Sequence, residues 1–217
     1  VQTGVKKNTQ GREGNGRLGQ DIPQRGGRAN GVGQFEKAIG IDPNQYNREK
    51  VDSLVKVNRY WLLIQQGDAQ LAAKNPDQAE RYYQRARSID NTDSYAVLGL
   101  GDAAMARNDS ASAERFYQQA LRMDRGNTNA VRGLANIYRA QSAEKATAFI
   151  QTLSASQRRS IDDIERSMTN DTLSQEAERL ENQGNFAQAA ELQRRRLALD
   201  PGSVWVNYRL ASDLRAA

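Results

Sequence analysis

Neither cysteine nor histidine occurs in the 217 residues. Their absence removes thiolate nucleophiles, imidazole bases, zinc fingers and Cys-ligated clusters in one step. It also removes disulfides, which suits an oxidising compartment and a reducing one equally. Aromatics are only 6% of the chain, and β-branched residues are sparse beside Ala, Gln, Arg, Leu, Glu and Asp. That bias favours helices over sheets. No apolar run approaches the roughly 20 residues of a membrane-spanning helix, and no charged-then-apolar leader opens the sequence. The chain is therefore expected to be soluble and not to insert in a membrane. The glycines between Gly11 and Gly16 are too irregular for a phosphate-binding loop. Asp162, Asp163 and Glu165 fall in a helical pattern with no nucleophile beside them. An enzyme, a cofactor and a metal site are accordingly not expected.

What the sequence has in excess is charge of both signs, with a net +5. The basic residues do not cluster. Acidic neighbours interleave them at Glu80-Arg81, Glu114-Arg115 and Asp162 to Arg166, and Arg194, Arg195 and Arg196 project in three directions around a helix. A phosphate-tracking surface needs one basic face, so nucleic acid is not an expected partner.

The chain also repeats itself. GDAQLAAKNPDQAERYYQRARSID (Gly67 to Asp90) aligns with GDAAMARNDSASAERFYQQALRMD (Gly101 to Asp124) at a shift of 101 − 67 = 34 residues. A 34-residue period with Gly67/Gly101, Ala79/Ala113, Tyr83/Tyr117 and Ala86/Ala120 in register resembles the tetratricopeptide (TPR) repeat. These positions make physical sense as two antiparallel helices in close contact. A small residue lets the backbones cross, an aromatic fills the gap beside it, and two alanines leave room for the next repeat. Thr128 to Tyr138 reads as a further helix A, followed by a degenerate helix B over Glu144 to Gln151. Asn170 to Pro201 reads as a full repeat, and Val204 to Leu214 begins another that is expected to be truncated. The expected fold class is all-α, a right-handed α-solenoid of TPR helix pairs with extra unpaired helices between blocks.

Two intervals between crossing residues exceed the period: Gly19 to Gly67 is 48 and Ala135 to Ala177 is 42. Asn47 to Asn58 carries Val51, Leu54 and Val55 on one helical face; Ser154 to Asn170 carries Ile161, Ile164 and Met168, with Ser160 and Asp163 read as a capping box. The expected organisation is a degenerate repeat over 1–45, an inserted helix and hinge over 46–59, and a TPR block over 60–151. A second inserted helix and hinge follows over 152–169, then a C-terminal block over 170–217. In the first segment, Gln34 to Asn44 reads as the end of a helix B, with Leu18, Gly19, Gly26 and Ala38 in frame. Val1 to Gly33 is too glycine-rich for a well-specified helix.

TPR arrays bind ligands on the concave face of their A helices, at the second, fifth, ninth and twelfth places. Here those places give Trp61 and Asp68, then Tyr95 and Asp102, then Asn129, Arg132, Asn136 and Arg139. Asp171, Ser174 and Glu178 extend the series, and Trp205 and Tyr208 end it. The arginines and asparagines suit a carboxylate clamp for a peptide. The aromatics beside carboxylates suit a sugar polymer, whose C–H faces stack on rings while its hydroxyls donate to acidic groups. Packing against a neighbouring repeat accounts for the same aromatics, and all three readings stay open.

Four stretches carry a narrower likeness: YAVLGLGDAAMARND (from Tyr95), GNTNAVRGLANIYR (from Gly126), LSASQRRSIDDIERSM (from Leu153) and LENQGNFAQAAELQRRRLALDPGSVWVNYRL (from Leu180). Together they resemble the bacterial family of cellulose synthase operon outer-membrane proteins of type C over most of 34–217. The third stretch lies in the inserted segment, where repeat grammar cannot produce a likeness. The resemblance implies a periplasmic array of a parent protein anchored in the outer membrane by a β-barrel. It further implies a bridge between that barrel and the inner-membrane synthase, with other cellulose synthesis subunits, peptidoglycan or the glucan chain as partners.

Overall fold

The computed structural model describes residues 45–217; the degenerate repeat expected over 1–45, including the Gln34 to Asn44 helix, lies outside the described residues apart from Gln45. The chain divides into two compact units, Val1–Asn91 and Thr92–Ala217. Among the described residues there are ten helices and no strand.

The described residues of the first unit form one antiparallel pair, α1 (Gln45–Ala72) and α2 (Pro76–Ile89). Between Gln45 and Gln66 there is no glycine or proline, so nothing ends the helix where the insertion meets the repeat. The first insertion is therefore the front half of a 28-residue helix A. Of its expected apolar face, Val55 is buried, Val51 half-buried and Leu54 exposed. Gly67 is the crossing point: a Cβ built there would stand 2.5 Å from Tyr83 Cε1. Even alanine would push the ring away. Pro76 opens α2 in its first turn, where its missing N–H costs nothing.

The second unit contains α3 (Ser94–Ala106), α4 (Ser110–Met123), α5 (Thr128–Gln141), α6 (Ala143–Gln151), α7 (Ala155–Arg159), α8 (Asp162–Asn182), α9 (Phe186–Leu199) and α10 (Val204–Ala216). Short polar residues start most of them. Asp93, Asp109, Asn127, Ser142, Ser154 and Ser203 each accept a hydrogen bond from a backbone N–H of the first turn. Tyr117 is gripped on both edges, because a Cβ on Gly101 or on Gly133 would each lie 2.6 Å from the ring. Around it Val97, Leu98, Ala113, Ala120, Ala130 and Leu134 form the first core.

A second core joins Val131 and Ala135 of α5 to Ile150 of α6, Ile161, and Ile164 of α8. The expected apolar set of the second insertion thus packs back on the preceding repeat. The same helix runs on without a break to Asn182, burying Leu173, Ala177 and Leu180 and pairing with α9. Only the five-residue α7 stands apart as an extra helix. The capping box is Ser154 with Gln157, at the start of α7, and not Ser160 with Asp163. Ser160 instead follows α7 and donates to the Gln157 carbonyl at 2.6 Å. The N-cap of α8 is Ile161, which puts Asp163 at the second helical position, one short of a capping-box partner, and its carboxylate is drawn to an arginine described below.

Candidate functional site

The concave positions divide into groups that the fold treats differently. In α1, Trp61 is half-buried, its ring edge-on to Tyr60 with centroids 5.2 Å apart. Asp68, one place after the crossing glycine, accepts a 2.7 Å hydrogen bond from the Tyr83 hydroxyl. In the second unit Asp102 accepts the same bond from Tyr117, also at 2.7 Å. Burial raises the Asp68 carboxyl above its ordinary value, and the Tyr83 bond partly offsets it. Burial and the Asp102 carboxylate push the Tyr117 phenol far up. Each pair thus satisfies a ring hydroxyl that would otherwise be left dry inside the helix pair. This structural use of Asp68 and Asp102 has a sequence signal, an Asp and a Tyr 15 residues apart in both copies.

Tyr95 is half-buried at the start of α3, where burial and the nearby Asp93 and Asp124 carboxylates raise its phenol. Asn129 and Asn136 are exposed on α5. The two arginines of that helix are engaged within the chain. Arg132 donates from both terminal nitrogens to Asp163, at 2.8 Å each, and reaches the Ser160 carbonyl at 2.7 Å. Arg139 donates to Asp171 at 2.8 Å and to the Ser167 hydroxyl at 3.0 Å. Asp163, Ser167 and Asp171 are spaced one helical turn apart along α8 and face the arginines as a ladder. The Arg132 bond holds the Asp163 carboxyl below its ordinary value and raises the guanidinium. A ligand carboxylate arriving here would meet guanidinium groups that already hold carboxylates.

Trp205 and Tyr208 on α10 are 62% and 59% exposed, which makes them the most open aromatics among these positions. Their rings stack at 5.6 Å with 21° between planes, and the Arg209 guanidinium sits 6.0 Å over Trp205.

The repeat frame did not disclose a buried polar network behind this helix. Gln193, fully buried, donates to Glu181 at 3.2 Å and accepts from Arg196 at 3.0 Å. Arg196, 8% exposed, also donates to Asn170 at 3.0 Å, and Arg209 pairs with Glu181. Burial lowers the Arg196 guanidinium, with Arg209 adding in the same sense. Among the described residues no helix is long and apolar enough to cross a membrane. Nor do any three or more acidic, His or Cys residues there gather as a metal site.

The tetratricopeptide-repeat family matches residues 70–119. Cellulose synthase operon protein C of Escherichia coli is 71% identical over 214 residues, which is 99% of this chain and 18% of the relative. The Salmonella typhimurium protein of the same name is 76% identical over 181 residues, 83% of this chain and 15% of its own length. The chain thus spans less than a fifth of these relatives. Identity at that level, over 99% of the chain, places it as a TPR-bearing segment in the cellulose synthase operon protein C family.

Proposed function

We propose that this chain is part of a non-enzymatic periplasmic scaffold for cellulose synthesis and export, one that spaces an inner-membrane synthase from an outer-membrane export barrel. The observation that carries the reading is the 71% identity over 99% of the chain to a protein named for the cellulose synthase operon. Helix pairs closed by their own side chains agree with a spacing role. Arg132 and Arg139 of α5 are spent on Asp163 and Asp171 of α8, and Asp68 and Asp102 on tyrosines. Contacts to other synthesis subunits or to peptidoglycan supply the anchoring, and bending at the two inserted segments supplies the slack. The second insertion is the better placed to bend, because only α7 and two turns connect α6 to α8, whereas the first lies inside one unbroken helix.

A deletion in the whole protein tests this. Removing one 34-residue repeat, 92–125, should leave cellulose at the cell surface if the array is a spacer. Loss of surface cellulose with the protein still present at normal level would overturn it.

The stacked Trp205 and Tyr208 favour a second reading, in which this part of the array touches the glucan directly. Calorimetry with cello-oligosaccharides on the wild type and on Trp205→Ala separates the two. Saturable heat lost in the variant supports a chain guide, and no heat at millimolar sugar removes it.

A further inference from the structure

A cleft away from the concave positions arises from a helix that stops early. In the repeat frame, Ser110–Met123 maps onto 144–157 at a shift of 34, yet α6 ends at Gln151. Six residues that should be helix B are instead a turn and the beginning of α7. The cause is local: Ser154 and Gln157 form the capping box, which starts a new helix where the old one should continue. Gln157 then donates to the Arg125 carbonyl at 2.9 Å and ties α7 to the α4–α5 turn.

The missing turns leave α4 uncovered and open a cleft of about 940 Å³, near the top of the ~300–1,000 Å³ range of ligand sites. Its floor is apolar. Leu121, Tyr138, Phe149 and Leu153 line it half-buried, with the two rings 5.1 Å apart. Its rim is basic: Arg122 and Arg125 are exposed and hold no ion pair among the described residues. The carboxylates nearby are occupied. Asp124 accepts from the Gly126 amide at 2.8 Å, and Glu114 accepts from Tyr138 and Gln118 at 2.9 and 3.1 Å. An apolar floor with two unspent guanidinium groups calls for an apolar side chain flanked by carboxylates.

We propose that this cleft docks a short acidic peptide segment of a partner protein, with an aliphatic or aromatic residue on the Leu121–Phe149–Leu153 floor and Asp or Glu on Arg122 and Arg125. The site is independent of the scaffold reading and of the A-helix groove, and it stands or falls without them.

Panning the 217-residue chain against a random hexapeptide phage library tests it. Selected sequences should be enriched in Asp and Glu beside apolar residues. The best of them, as a labelled peptide with blocked ends, should bind about tenfold or more weakly to Arg122→Ala with Arg125→Ala. The charge-matched variant Arg194→Ala with Arg195→Ala should bind it as the wild type does. No acidic enrichment over the input library, or equal weakening in both double variants, would overturn the proposal. Displacement of the peptide by a single-stranded oligonucleotide of equal charge would overturn it too, by making the rim a general polyanion surface.

Discussion

The α3–α4 and α8–α9 pairs occupy the same repeat frame at a shift of 177 − 101 = 76 residues, yet they close by opposite chemistry. In the first, Gly101 lets the backbones approach and Tyr117 fills the gap, with Ala120 making space beyond. In the second, the same three places hold Ala177, Gln193 and Arg196, all buried. At the crossing a larger residue is matched by a smaller filler, so the ring gives way to an amide, while at the third place the small Ala120 is replaced by the long Arg196. That amide must then be satisfied, and Glu181, Arg196 and Asn170 complete the circuit. The same helix-pair frame therefore accepts either an apolar closure or a buried polar one, provided that each buried polar group finds a partner.

The sharpest way to break the contrast is to empty the apolar pair. Tyr117→Ala removes a ring held between Gly101 and Gly133 together with its hydrogen bond to Asp102. A loss of about 3–5 kcal/mol is expected, read as the shift of a denaturant midpoint at unchanged slope. A loss below about 1 kcal/mol would mean that the helices collapse onto the gap and that the ring does not hold the pair.

The polar pair should respond less, and in a coupled way. Arg196→Met leaves the Gln193 oxygen dry, at a cost of about 1–3 kcal/mol. Replacing both residues, Gln193→Leu with Arg196→Met, removes the need along with the partner. The double variant should be less destabilised than the sum of the singles, by at least about 0.5 kcal/mol in a mutant cycle. Strict additivity would show that the network is a set of separate contacts.

Most of the helix-pair architecture was legible because its determinants are local and periodic. Gly67 and Gly101, Tyr83 and Tyr117, and the alanines between them recur at one spacing, and the packing that they imply is what the structure contains. The form of the two inserted segments was not legible. Helices end at specific stop signals, and neither Asn47 to Asn58 nor Ile161 to Asn182 holds one, so the added residues lengthened helices A. The fate of polar groups was least legible. A concave Arg132 reads the same whether its carboxylate comes from a ligand or from Asp163, because the pairing depends on how α8 lies across α5. The frame places each residue on its helix and is silent about that crossing.

Between the two contrasted pairs lies the junction of α5 with α8, and it should be the mildest place to intervene. Arg132→Ala frees Asp163, whose carboxyl should rise toward the ordinary value, a change readable by NMR titration of the side chain. In the folded wild type that value is depressed, so the pair's contribution is fully present above the unfolded carboxyl value. It is lost as pH falls through the lower, folded one. The difference in melting temperature between wild type and Arg132→Ala should accordingly be small at pH 7, begin to shrink only below about pH 4, and vanish once pH lies below the depressed Asp163 value. Both partners are substantially exposed, 42% and 65% at the side chains, so the same difference should also shrink in about 1 M salt. A difference that persists in acid and in salt would mean that Arg132 acts through its bond to the Ser160 carbonyl, tying down the end of α7, and that its charge is incidental.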